Sequence, residues 1–358
     1  MKRRTFLATS IASGAALGMG AESRSAEKAD KPEKAPYKRI SCEEAFSTPE
    51  IVAELKRVAG GVPSMSSGPI AGPFMPALLD IGEGRIQTMD RDGVDIQVLS
   101  LTSPGVQNFD PATAVSLMRA TNDRLAEAIR KYPARFAGLA VIAPQDPVAS
   151  AKELERAVES LGIKGGIINS HTRGEYLDDP KFWPIFEAAQ ALNVPIYIHP
   201  REPSSGLASE LTMPGFTVGW GFGVETGSHA LRLIASGVFD KYPMLRIVLG
   251  HMGETLPFVI DRIDNRFQWE SKLFGKPKIE RLPSEYLKNN FVVTTSGMNY
   301  RAPLMATIAQ IGVDRVMFAA DYPMEVQADA VREMEAMPLS MQDKWKVWET
   351  NARKVFAI

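Results

Sequence analysis

The sequence predicts an α/β chain folded as a (β/α)8 TIM barrel, with long mouth loops after strands 1 and 5. Three observations carry that prediction. Eight short apolar, β-branched runs alternate with longer amphipathic stretches beyond residue 37. The runs are continuously apolar rather than alternating, as parallel strands covered on both faces are. Polar residues gather at the C-terminal ends of those runs, where a barrel brings its strands to one mouth. An open doubly wound sheet is the competing architecture, but no G-x-G-x-x-G follows the first run.

In order, the runs are RISCE (39–43), DIQVLSL (95–101), FAGLAVI (136–142), KGGIINS (164–170), PIYIHP (195–200), RIVLGH (246–251), NFVVTTS (290–296) and RVMFAAD (315–321). Amphipathic stretches such as AVSLMRATNDRLAEAIRKY and PVASAKELERAVESLG lie between them. Several close on a turn residue just before the next run, as in LGIKGG and IGVDR. Two connections exceed simple βα loops: residues 59–76 and residues 201–227. Both are expected over the mouth. The second carries Phe216, Trp220 and Phe222, which suit either a flat substrate or a packing contact.

Composition narrows the function. With 45% hydrophobic and 23% charged residues and a formal charge of −1, the chain is ordinary globular protein. It lacks the basic stripe that nucleic-acid binding requires. One cysteine, Cys42, rules out an internal disulfide and any multi-cysteine metal site. The N-terminus reads as a separate piece. Residues 1–26 have a basic start, Arg3–Arg4, and a short apolar stretch rich in small residues, the pattern of a twin-arginine-type signal peptide. That stretch is too short for a stable membrane span. Residues 27–37 form a charged linker and 38–358 the barrel domain. Export to the periplasm is the expectation.

Candidate chemistry sits at strand ends. Glu43, Asn169, His199, His251, Ser296 and Asp321 all fall there. A single such histidine is ordinarily a satisfied core residue. His199, His251 and Asp321 on three different strands point instead to a shared site, and imidazole with carboxylate suits a divalent ion. Glu43 and Glu44 stand on the first strand, with Ala45 next. Side-chain alternation puts Glu44 on the opposite face from Glu43. By the same alternation Cys42 should point away from Glu43, as a packing residue.

The stretches CEEAF, GGIINS, DDPKFWPIFEAAQALNVPIYIHP, HALRLIASGVFDKYPMLRIVLGHMGE and RVMFAADYP resemble the amidohydrolase-related metal-dependent decarboxylases. Within them the similarity is to the 2,3-dihydroxybenzoate and γ-resorcylate decarboxylase group, from about residue 38 to the end. The resemblance implies Glu43, His199 and Asp321 as metal ligands, with Ala45 where many relatives carry a further histidine. It implies one divalent metal ion, zinc first, with manganese or magnesium as alternatives. It implies Asp321 as proton donor, His251 as the group acting on the substrate phenol and Glu254 as its orienting partner. A first-turn helix carboxylate would explain Glu254 equally simply. Asn169 is implied as substrate-binding, against a turn or cap role. Arg201 could hold a substrate carboxylate, against a salt bridge within its loop. His229 is expected to be structural.

The expected function is non-oxidative decarboxylation of a hydroxylated aromatic carboxylic acid by a homodimer or homotetramer. Metal-dependent hydrolysis of an ester, lactone or amide would use the same residues. A catalytically silent exported binding protein is the third reading, and intact Glu43, His199, His251 and Asp321 argue against it.

Overall fold

The computed structural model describes residues 35–59, 72–275 and 279–358, and Tyr37–Ile358 forms one compact unit. The expected signal peptide, most of the linker and residues 60–71 of the first long loop lie outside the described residues.

All eight expected strands are present. They are β1 (Ile40–Phe46), β2 (Ile96–Leu101), β3 (Phe136–Gly138) with β4 (Ala140–Val141), β5 (Gly166–Ile168), β6 (Ile196–Ile198), β7 (Ile247–Leu249), β8 (Phe291–Thr294) and β9 (Val316–Met317). Every pairing is parallel. The third expected run is divided at Leu139, where the chain changes partner. Leu139 N–H donates to Leu99 O at 2.9 Å, and Ala140 N–H donates to Gly165 O at 2.8 Å. The ring closes between last and first strands, where Cys42 N–H donates to Phe318 O at 3.0 Å and Ala45 N–H to Tyr322 O at 2.8 Å.

The helices begin where local chemistry dictates. Thr48, Asp110 and Asp146 each precede a proline and accept a backbone N–H from the first turn, so cap and fixed φ act together. Strand side chains from all round the ring fill the barrel, among them Ile40, Val98, Ile167, Tyr197, Val248, Val292 and Met317. The floor is sealed by Ala352, Val355 and Phe356 of the helix Asn351–Phe356. Among the described residues no helix is long and apolar enough to cross a membrane.

One element departs from simple alternation. β1 pairs Ser41 with Gln97 and Glu44 with Leu99, so Cys42 and Glu43 together oppose the intervening Val98. This is a β-bulge, which re-aims a side chain. Cys42 joins the barrel core while Glu43 also faces inward, toward Tyr197, Thr294 and Ser296. The expectation that Cys42 points away from Glu43 is therefore corrected. Alternation fails across a bulge because an extra residue is inserted in one strand.

Candidate active site

A cavity of about 320 Å³ opens at the C-terminal ends of the strands. Its walls include Ala45, Phe74, His199, Phe222, His251, Glu254, Met298, Asp321 and Glu325. The second long loop supplies Val218, Gly219, Phe222 and Gly223 to the wall. Of its three aromatic residues only Phe222 lines the cavity, and Phe216 and Trp220 are exposed to solvent.

Glu43 is buried, 1% exposed. Its Oε2 accepts hydrogen bonds from three hydroxyls, those of Tyr197, Thr294 and Ser296, with Thr294 at 2.8 Å. Its Oε1 has no hydrogen-bond partner and lies 3.3 Å from His199 Nε2. Burial alone would raise this carboxyl, but His251, His199 and the Ser296 and Tyr197 hydroxyls hold it below the ordinary carboxylate range. Gly250 permits the arrangement, because a Cβ there would stand 2.8 Å from Glu43 Oε2.

His199 follows β6, and its Nδ1–H donates to Pro200 O at 2.7 Å. That bond fixes the tautomer and leaves the Nε2 lone pair directed at Glu43. Ligand atoms of Glu43, His199 and Asp321 lie within 4.8 Å of one another. A buried carboxylate oxygen without a partner, a histidine in the metal-binding tautomer and a second carboxylate fit one divalent ion. Ala45 lines the same cavity, as expected for a place beside the ion that carries no ligand.

His251 and Glu254 sit on an unusual backbone. Residues 251–255 all have positive φ: His251 48°, Met252 57°, Gly253 79°, Glu254 51° and Thr255 67°. This is a left-handed helical turn, costing roughly 1–2 kcal/mol for each L-residue in it. It brings His251 Nδ1 to 2.8 Å from Glu254 Oε1 and leaves Nε2 3.5 Å from Asp321 Oδ2. His251 N–H donates to Ser296 Oγ at 3.1 Å, tying the turn to the hydroxyls around Glu43. Burial would lower the His251 imidazole, but Glu254, Glu43 and Asp321 overcome it and hold the group well above the ordinary histidine value. Burial raises both Glu254 and Asp321, which His251 pulls back down in part.

Two expected substrate contacts stand elsewhere. Asn169 Nδ2 donates to Leu101 O at 3.3 Å, and the residue is outside the cavity lining. Arg201 is buried, donating from Nη1 to His171 O at 3.1 Å and from Nη2 to Asn108 Oδ1 at 2.7 Å. It ties its loop to the loops after β5 and β2 and does not line the cavity. His229 is structural, accepting Leu177 N–H at Nε2, and burial pushes it down to about 3. The residues that sequence reasoning missed are Tyr197, Thr294 and Glu325. Tyr197 stands two residues before His199 on the same strand face, a spacing that could have found it.

Two results should follow. Tyr197→Phe removes one of three donors from Glu43, and we expect divalent-ion affinity to fall about 10-fold, the lower end for a group that orients a ligand. Isothermal titration with Mn²⁺ checks this. Because burial raises Asp321, its carboxyl takes up a proton more readily than an ordinary aspartate does, and protons compete with an incoming ion for it. Ion binding should therefore weaken, and release more protons, as pH falls. Titrations in buffers of different ionisation enthalpy measure that release directly.

The chain matches a family described as amidohydrolase over residues 75–358. A γ-resorcylate decarboxylase of Polaromonas sp. (strain JS666) is 39% identical over 329 residues, covering 89% of this chain and 98% of that protein. The solved 5-carboxyvanillate decarboxylase from Sphingomonas paucimobilis superposes with a TM-score of 0.86 at 39% identity, covering 90% of this chain and 99% of that one. A 5-carboxyvanillate decarboxylase from Novosphingobium aromaticivorans, solved with manganese and 4-hydroxy-3-methoxy-5-nitrobenzoic acid, gives 0.84 at 42% identity, covering 91% and 97%.

Proposed function

Because this chain belongs to the amidohydrolase family, we propose that it is a metal-dependent, non-oxidative decarboxylase of a hydroxylated aromatic carboxylic acid. The observation that carries this reading is Asp321, a cavity-lining carboxyl raised by burial, whose ligand atom lies within 4.8 Å of those of Glu43 and His199. Glu43, His199 and Asp321 would hold one divalent ion, which when bound supplies Lewis-acid stabilisation of anionic oxygen. Manganese in a solved relative supports manganese ahead of zinc, with magnesium as a further alternative.

Asp321 gives its proton to the ring carbon that bears the carboxylate. That carbon becomes tetrahedral and the ring loses aromaticity, which makes the bond to the carboxylate breakable. The bond's electrons return to the ring, carbon dioxide leaves, and Asp321 recovers a proton from solvent. His251, held by Glu254 through Nδ1, presents Nε2 to the cavity and exchanges the phenolic proton. Phe222 and Met298 supply apolar wall for a flat ring.

The test is to load the protein with Mn²⁺, Zn²⁺ or Mg²⁺ and offer a panel of hydroxybenzoates and aryl esters. Carbon dioxide from an ortho-hydroxylated acid supports the reading. Ester or lactone cleavage without carbon dioxide would transfer it to hydrolysis. The proposal includes twin-arginine export to the periplasm, supported by Arg3–Arg4, and assembly as a homodimer or homotetramer. N-terminal sequencing of the mature protein and sedimentation velocity test those two points.

A further inference from the structure

The bulge in β1 sends two adjacent carboxylates in opposite directions, and the metal site uses only Glu43. Glu44 faces out of the barrel yet is fully buried. Its Oε1 accepts the Ala320 N–H at 3.1 Å together with the Ser41 hydroxyl, and its Oε2 accepts the Tyr322 N–H at 3.0 Å. Both peptide N–H groups flanking Asp321 therefore end on this one side chain. Asp321 itself has φ 72°, in the left-handed region that L side chains rarely adopt. Such a conformation persists only where its surroundings over-determine it.

The surroundings converge on Glu44. Ser41 Oγ also accepts the Ala320 N–H at 3.0 Å, and Ala45 N–H donates to Tyr322 O at 2.8 Å. The buried Arg85 donates to Ala45 O at 2.7 Å and lies 5.0 Å from the centre of the Tyr322 ring, so a positive charge accompanies the buried carboxylate. Both oxygens of Glu44 act as acceptors here, one at each end of the fork. An amide would turn a donor toward one of the two N–H groups.

We propose that Glu44 is a positioning residue: it clamps the backbone on both sides of Asp321 and so fixes where the Asp321 carboxylate stands in the cavity. Adjacent residues of one strand then divide the labour. Glu43 would bind the ion, and Glu44 sets the position of another of its ligands. The inference rests on the reading of Asp321 as metal ligand and proton donor.

Two measurements on Glu44→Gln test it, both well below the unfolding temperature. Mn²⁺ affinity of the metal-free protein, by isothermal titration, should fall about 10- to 100-fold, the range for groups that orient ligands. For decarboxylation of 2,6-dihydroxybenzoate, kcat should fall by a similar factor while KM moves less than about 3-fold, because a misplaced proton donor is felt in the reaction step. A lower unfolding temperature with unchanged Mn²⁺ affinity and unchanged kcat would overturn the proposal, leaving Glu44 merely structural. If Glu44→Gln does not fold, Ser41→Ala loosens the same clamp and keeps both Glu44 oxygens. It should lower Mn²⁺ affinity by about 3- to 10-fold, toward the weak end of such orienting effects, and no change would again overturn the idea. Should the wild-type protein release no carbon dioxide from any acid, the decarboxylase reading fails, while the Mn²⁺ titration still decides the role of Glu44.

Discussion

Replacing Asp321 by asparagine is expected to lower kcat/KM for carbon dioxide release by about 10³-fold or more, within or beyond the usual span of a lost general acid. The side chain lies in the cavity wall, 3.5 Å from His251 Nε2, and burial makes it a carboxyl that holds its proton readily. An asparagine of the same shape has no such proton to give. It also offers a neutral oxygen where the ion expects an anionic one, so Mn²⁺ content must be measured in parallel. At saturating Mn²⁺, an Asp321→Asn protein retaining more than about a tenth of wild-type turnover would remove Asp321 from the proton-transfer role.

Glu43→Gln should act on the ion itself. Three hydroxyls converge on Oε2 and leave Oε1 as the unpartnered atom. A glutamine that keeps its oxygen on those hydroxyls turns its NH₂ toward the ion, and the opposite orientation gives them a donor in place of their acceptor. Either way the pocket loses an anionic ligand, and Mn²⁺ affinity should fall by about 10²-fold or more, beyond the effect of losing one orienting hydroxyl. Circular dichroism establishes that the barrel survives, and titration calorimetry reads the affinity. Stoichiometric Mn²⁺ at wild-type affinity in Glu43→Gln would mean that this carboxylate does not face the ion.

Much of this site was legible in the sequence because strand ends in a barrel share one destination. His199, His251 and Asp321 were readable as a group from three separate apolar runs, and the structure puts all three on one cavity. The parts that were not legible depend on contacts distant in sequence. The bulge at Cys42–Glu43 arises from the register that β1 must adopt against β2 while closing on the last strand. No local propensity announces the left-handed turn at 251–255, since four of its five residues are not glycine. The hydroxyls on Glu43 come from β6, β8 and the residue two beyond β8; Ser296 was readable as a strand-end residue, whereas Tyr197 and Thr294 looked like ordinary strand residues. Arg201 stands two residues from His199 in the sequence, yet its Nη1 and Nη2 reach His171 and Asn108, contacts no local pattern announces.

The helix Asn351–Phe356 that seals the barrel floor has a consequence for how the protein is made. Its Ala352, Val355 and Phe356 share one core cluster with strand residues from all round the ring, including Ile40 near the start of the domain. A ribosome adds about 5–20 residues per second. Until residues 351–356 leave the exit tunnel the nascent barrel therefore has an open base. Completion of the core waits for a segment made long after the first strand. An export route that accepts folded proteins, as proposed for this one, would meet its cargo only after that segment had been made.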